Sequence, residues 1–207
     1  GYSREQLAAL KTMIVDLVAY GAATQKYRDP SIAEDALLTG MLTAEQLALG
    51  TATEKDLTSL EGVVTQKLTG NVSEAFRWTG VTLVLKDKTN IRCRFTAKDI
   101  SNLTIKIMDG DTVLATKDSS DFTAISGETY YVDFDNIYAY EYGKTFKFAF
   151  CKEGTEEGQT LNYSVNTYLN AKAGSTITNL VPLLKTIAHF GDLAVKFVGL
   201  SKAQTAL

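Results

Sequence analysis

The chain has 207 residues and a formal net charge of −3, with 45% hydrophobic and 22% charged residues. These proportions are those of a globular protein and exclude a disordered chain. The negative net charge indicates no basic surface for nucleic acid or anionic lipid. No apolar run is seen to approach the roughly 20 residues of a membrane span, so no membrane insertion is expected. No signal peptide is recognised, and Gly1 is expected to be a remnant of expression downstream of the natural start.

The first segment, 1–60, is predicted to be helical. Ser3-Arg-Glu-Gln6 has the pattern of a capping box, and Asp29-Pro30 is expected to end the helix because proline disfavours a helical residue before it. Shorter helical pieces are expected over 31–38 and after a second capping box, Thr43-Ala-Glu-Gln46. Apolar residues at three-to-four spacing predict that the first helix is buried over a broad face, and they are Leu7, Leu10, Ile14, Leu17 and Gly21.

The middle segment, 61–163, alternates apolar with polar residues and is predicted to be all β. One hairpin is expected to turn at 86–90, and a second at Asp109-Gly110, which is a strong tight-turn signal. About seven short strands with one polar face each favour an antiparallel sandwich over a parallel sheet. The expected strands are 63–69, 74–85, 90–96, 103–108, 112–116, 129–135 and 145–152.

The last segment, 164–207, returns to helix, with a short helix followed by a long one that starts at Thr178 or Asn179. Residues 184–197, LKTIAHFGDLAVKF, repeat 14–27, IVDLVAYGAATQKY, in degenerate form. The two long helices are expected to pack on each other or on the sandwich, with the matched Gly21 and Gly191 facing close neighbours. The fold class is therefore predicted as α+β, an antiparallel sandwich of about seven strands flanked by N- and C-terminal helices. We expect one composite module cut from a larger, repetitive protein.

The two cysteines are predicted to be free thiols. In IRCRF, alternation places Cys93 on the apolar face, whereas in TFKFAFCK it places Cys151 on the opposite, exposed face. One buried and one exposed thiol cannot be bridged with good geometry. The chain is accordingly expected to be neither a disulfide scaffold nor a thiolate metal site.

Residues suited to catalysis are sparse. His189 is the only histidine, which excludes a multi-histidine metal site within the chain, and it is predicted to be structural or at the surface. Asp109-Gly-Asp111 is interpreted as a hairpin turn rather than a calcium loop, because the closing glutamate is missing. No Gly-rich phosphate loop, GxSxG elbow or CxxC occurs. We therefore expect no enzyme, no catalytic residue, no metal and no cofactor.

A tyrosine-rich stretch provides the one candidate for ligand binding. Outward tyrosines beside acids can stack on sugar rings and hydrogen-bond their hydroxyls. The alternative is that about half of these tyrosines fill the core and the others line a loop. The candidate residues are Tyr131, Asp133, Tyr138, Tyr140 and Tyr142.

Three motifs resemble a module of large secreted or wall-attached proteins of Gram-positive, often gut-dwelling bacteria. They are LVAYGAATQKY, then FRWTGVTLVLKDKTNIRCRF, and finally LNYSVNTYLNAK with LVPLLKTIAHFGDLAVKF. The chain departs from that pattern at Arg28, where an aromatic is usual, and at Asp192 and Leu193, where alanines are more common. The resemblance implies an extracellular or cell-wall location, and it brings no catalytic residues.

Two functions are compatible with these features. The first is a non-catalytic spacer or display module of a bacterial surface protein, whose partners are neighbouring modules of the same polypeptide. The alternative is a carbohydrate-binding or adhesion module that uses exposed tyrosines. Apolar patches confined to the terminal segments would favour the first function, whereas an open aromatic strip would favour the second.

Overall fold

The computed structural model describes residues 2–51, 55–85 and 88–205. Gly1 and the beginning of the predicted 86–90 turn lie outside these residues. The described residues form helices and two antiparallel sheets, which confirms the α+β class, the sandwich and the terminal helices. They divide into two compact units. The first unit comprises the described residues of Gly1–Leu60, Ala139–Tyr142 and Leu169–Leu207, and the second comprises those of Glu61–Tyr138 and Gly143–Tyr168.

The α-helices are α1 (Arg4–Arg28), α2 (Ala44–Leu47), α3 (Val165–Ala171) and α4 (Leu180–Thr205). Single 3₁₀ turns occur at Glu34–Ala36, Leu38–Met41 and Ala139–Glu141. The strands are β1 (Leu68–Thr69), β2 (Phe76–Leu85), β3 (Thr89–Ala97), β4 (Leu103–Asp109), β5 (Thr112–Lys117), β6 (Thr123–Ser126), β7 (Thr129–Ile137), β8 (Phe146–Lys152), β9 (Thr155–Glu156) and β10 (Thr160–Tyr163).

Helix α1 begins and ends where its caps predict. The Ser3 hydroxyl accepts a hydrogen bond from the Gln6 N–H at 3.1 Å, and the Gln6 side chain accepts one from the Ser3 N–H at 2.8 Å. At the other end, Asp29 adopts an extended conformation before Pro30, which stops the helix at Arg28. The two hydrogen bonds between Ser3 and Gln6 satisfy backbone N–H groups that otherwise lack partners at the start of a helix.

Helices α1 and α4 pack on each other within the first unit, which is one of the two arrangements predicted. The Asn179 side chain, just before α4, donates to the Lys26 carbonyl in the last turn of α1 at 2.9 Å. A Cβ on Gly21 would lie 2.5 Å from Leu38 Cδ1, and one on Gly191 would lie 2.9 Å from Tyr142 Cδ2. Both matched glycines therefore face a close neighbour, which confirms that part of the repeat prediction.

The face that α1 buries is not the predicted one. Leu7, Ile14 and Leu17 are 45%, 54% and 48% exposed, whereas the polar Asp16 is only 6% exposed. The Asp16 carboxylate accepts a hydrogen bond from the Thr51 backbone N–H at 3.1 Å and another from the Thr51 hydroxyl at 2.8 Å. Hydrogen bonding thus lets a carboxylate occupy the inner face, and the apolar stripe is left on the outside.

Helix α1 also differs from the expectation that no segment approaches a membrane span. Among the described residues, Arg4–Arg28 is long and apolar enough to cross a membrane by length and composition alone. A core helix of a soluble protein and a signal sequence near the N-terminus meet the same criterion. The property therefore assigns no location.

The second unit contains two antiparallel sheets. One has the order β1-β10-β8-β4-β5, with β9 also paired to β8, and the other has the order β2-β3-β7-β6. An aromatic cluster joins them: the Trp78 ring from β2 stacks on Phe150 from β8 at 4.0 Å between centroids, and Phe95 from β3 meets the same Phe150 edge-on at 5.6 Å. The Trp78 indole N–H donates to the Gln159 carbonyl at 2.9 Å, so its polar atom is satisfied inside the core.

The predicted exposure of Cys151 is wrong, although both cysteines are free as expected. Cys93 and Cys151 are both fully buried. Strand β8 is an inner strand, with β4 on one side and β10 and β9 on the other, so side chains of both neighbouring strands flank the Cys151 thiol. Thr104 and Glu156 flank Cys151 on the adjacent strands. Burial raises the pKa of the Cys151 thiol, and it raises the pKa of Cys93 well above its ordinary value.

Both thiols should consequently resist labelling in the native protein. The reactive species is the thiolate, and burial lowers both its population and its accessibility. We expect a thiol reagent at neutral pH to modify neither Cys93 nor Cys151 within minutes, and to modify both after unfolding in guanidinium under non-reducing conditions. Rapid native modification of Cys151 would contradict its burial.

Two glycines of α4 provide a matched test of packing. A Cβ on Gly191 would press against the Tyr142 ring, whereas one on Gly199 would meet nothing within 4 Å. Alanine improves helix propensity equally at both positions, so the difference between the two variants isolates the packing cost. We expect Gly191→Ala to be less stable than Gly199→Ala by about 1–3 kcal/mol in denaturant unfolding. Equal stabilities would contradict the close approach at Gly191.

Candidate functional site

Strand β3 sorts its side chains between the core and the solvent. Ile91, Cys93 and Phe95 are fully buried, so the intervening Arg92 and Arg94 lie on the opposite, outer side of the sheet. We call this outer surface the arginine face, and define it by Arg77, Gly80, Arg92, Arg94, Tyr131 and Asp133. In the ladder, Asp133 is opposite Arg92, and Tyr131 and Gly80 are opposite Arg94 on either side.

Arg92 is fixed by two interactions with β7. Its Nε and Nη2 atoms donate to the two carboxylate oxygens of Asp133, each at 2.7 Å. The guanidinium carbon also lies 3.8 Å from the centroid of the Tyr131 ring, which is a cation–π contact. The hydrogen bond to Asp133 raises the pKa of Arg92. The Arg92 guanidinium is therefore held by residues of its own sheet.

Arg94 and Arg77 are placed differently. Both are exposed, and within 2–51, 55–85 and 88–205 neither makes an ion pair or side-chain hydrogen bond. Beside Arg94, a Cβ on Gly80 would find no atom within 4 Å, and the ladder shifts register between Trp78 and Gly80. Strand β2 therefore leaves open space at Gly80, next to an arginine that has no ion-pair partner among the described residues.

The five residues predicted as a ligand set are divided between the two units. Tyr131 and Asp133 belong to the arginine face, but the Arg92 guanidinium covers the Tyr131 ring and binds Asp133. Tyr138 is 61% exposed and lies in the same unit, whereas Tyr140, 43% exposed, belongs to the other unit. Tyr131 therefore offers no open ring of the kind the tyrosine hypothesis requires.

Tyr142 is a correction to that hypothesis. The tyrosine hypothesis requires an exposed ring, yet the Tyr142 side chain is only 8% exposed. The reason is Gly191 of α4, whose missing side chain leaves room for the Tyr142 ring within the first unit. Tyr142 is a packing residue, as the alternative interpretation proposed for about half of the cluster.

The sequence prediction missed the arginines as candidate binding residues. The alternation in IRCRF already directed Arg92 and Arg94 outward. The alternation does not reveal that Asp133 pairs with Arg92 rather than with Arg94, because this depends on the register between β3 and β7. Two outward arginines at i and i+2 were the only available signal.

The single histidine belongs to a polar cluster in the first unit. His189 Nε2 lies 3.0 Å from the Thr51 hydroxyl and 3.2 Å from Asp16 Oδ2, and Thr51 also binds Asp16 directly. In a catalytic triad the acid and the nucleophile use different ring nitrogens, whereas here both oxygens meet the same nitrogen. These contacts join Thr51 to both long helices. Across the described parts of the chain, no three His, Cys, Asp or Glu side chains are grouped so as to hold a metal ion.

Comparisons with models of protein families, with curated proteins and with solved structures find no match to this chain. The arginine face must therefore be interpreted from its own chemistry.

The Arg92–Asp133 pair predicts different effects for two acids on the same strand. Asp133→Asn removes the charge and the two-pronged acceptor, and should lower the free energy of unfolding by roughly 1 kcal/mol, after discounting for solvent screening. Asp135→Asn changes charge equally and should alter stability by less than about 0.5 kcal/mol. Denaturant unfolding of both variants measures this; a larger loss for Asp135→Asn would contradict the pairing.

Proposed function

We propose that the chain is a non-catalytic structural module that orders neighbouring modules of the same polypeptide, in an extracellular surface protein. The observation that supports it most directly is the exposed apolar stripe of α1. Leu7, Ile14 and Leu17 are about half exposed and Leu10 is half-buried. The extracellular setting is supported only by the sequence resemblance to secreted and wall-attached bacterial modules.

The spacing of the stripe indicates what covers it. Leu7 and Ile14 are seven residues apart, as are Leu10 and Leu17. This is the a/d pattern of a helix seam, into which a second helix places its side chains. The other long helix, α4, buries its own apolar residues Leu183, Leu184 and Ile187, so the exposed seam is that of α1. The occupant we propose is accordingly the α1 seam of a second copy of this module.

The size of the seam favours tethered rather than free copies. Four residues spanning Leu7 to Leu17 extend about 15 Å along the helix. Such a contact buries much less than the roughly 1,200–2,000 Å² of a stable interface between free proteins. Joining two modules in one chain raises their effective concentration to the order of mM, at which a small apolar seam can close.

A tandem polypeptide of two copies joined by a flexible linker tests the proposal. The wild-type tandem should be compact in small-angle X-ray scattering, and Ile14→Ser with Leu17→Ser in both copies should extend it. Exposed positions tolerate serine, so each copy should remain folded.

The matched control carries Val113→Ser and Leu114→Ser, which alter two similarly exposed apolar residues of β5. This control should leave the compact form intact, and the single module should remain a monomer at micromolar concentration. A wild-type tandem as extended as the α1 variant would refute the seam. Equal extension by the control would show that general surface apolarity is responsible.

A further inference from the structure

We propose that the arginine face binds an acidic carbohydrate, with a sugar carboxylate held by Arg94, a second contact from Arg77, and the sugar ring lying over Gly80. This inference goes beyond the module's proposed structural role and does not depend on it. It also differs from the tyrosine hypothesis, because the ligand is recognised through its charge.

The charge balance of the arginine face is the first argument. Arg92 and Arg94 follow each other on one side of β3, about 7 Å apart along the strand. Arg77 is opposite Thr96, and is therefore a diagonal neighbour of Arg94 across the β2–β3 ladder. Asp133 neutralises Arg92, and Arg94 has no acid opposite it in either ladder. Arg77 lines a surface cavity together with Glu74 and Glu128, so Arg94 is the principal anchor for an oxyanion and Arg77 supplies a weaker contact.

The second argument is that the two arginines of β3 have different surroundings. Arg92 is held by Asp133 and by the Tyr131 ring, so it cannot turn to neutralise a ligand without breaking two short hydrogen bonds. Arg94 has Tyr131 on one side and Gly80 on the other, with no acid opposite it. Its planar fork of donors matches the two oxygens of a carboxylate.

The surroundings of Arg94 suit a sugar rather than a free anion. The backbone of Gly80 is uncovered, so a ring can approach β2 closely there. Hydroxyl groups lie on both sides, from Thr82 opposite Arg92 and Thr96 opposite Arg77. Hydroxyl groups are the donors and acceptors that bind sugar hydroxyls. An acidic sugar satisfies both features, whereas a small inorganic anion would use only the charge.

Titration calorimetry of the full chain with a galacturonic acid hexamer tests the proposal. We expect saturable binding that weakens as salt is raised, because the charges are exposed. Arg94→Gln should weaken binding about tenfold or more, and Arg77→Gln should weaken it less. Arg94→Lys keeps the charge but loses the planar fork, and should restore only part of the affinity.

Three controls make the result decisive. Arg28→Gln removes an exposed positive charge at the end of α1 and should leave the affinity unchanged. A neutral glucose hexamer should not bind, and inorganic sulfate at the same charge concentration should not displace the acidic hexamer. The proposal is overturned if the acidic hexamer does not bind at millimolar concentration, if the neutral hexamer binds equally, if sulfate displaces it fully, or if Arg28→Gln matches Arg94→Gln.

Discussion

The side-chain alternation of β3 is the constraint on which the second unit depends. Ile91, Cys93 and Phe95 enter the core on one side, and Phe95 meets the aromatic rings of Trp78 and Phe150 there. The same alternation leaves Arg92 and Arg94 outside. A shift of one residue in register would exchange the two sets, burying two guanidinium groups and exposing three apolar side chains. The aromatic core therefore fixes the arginine face.

In the first unit, by contrast, a polar group determines which face of a helix is buried. Asp16 is buried because Thr51 and His189 satisfy its carboxylate. This contact directs the apolar stripe of α1 outward, where hydrophobicity alone would not leave it. Exposed apolar residues grouped along a helix mark an interaction surface more often than scattered ones do. The proposed module–module contact follows from that arrangement.

Much of the fold could be predicted from the sequence because local signals were strong. Capping residues located both ends of α1, and regular alternation located the long strands β2, β3, β4, β7 and β8. Strands β6, β9 and β10 were not predicted, since they have only two to four residues and too little alternation to detect. The exposure of Cys151 and of the α1 stripe was predicted wrongly for one reason: a pattern shows which face is apolar, but not which faces acquire a covering neighbour.

The candidate site was less predictable than the fold. Sequence alternation predicts that Tyr131 and Asp133 point outward, but only the β3–β7 register shows that both contact Arg92. The most direct test of the resulting account is hydrogen exchange of the arginine Nε–H groups, measured by NMR on the native protein. The Arg92 Nε–H should exchange slowly because it donates to Asp133, while those of Arg94 and Arg77 should exchange as fast as in an exposed arginine. Equal protection of Arg92 and Arg94, or fast exchange at Arg92, would contradict the account.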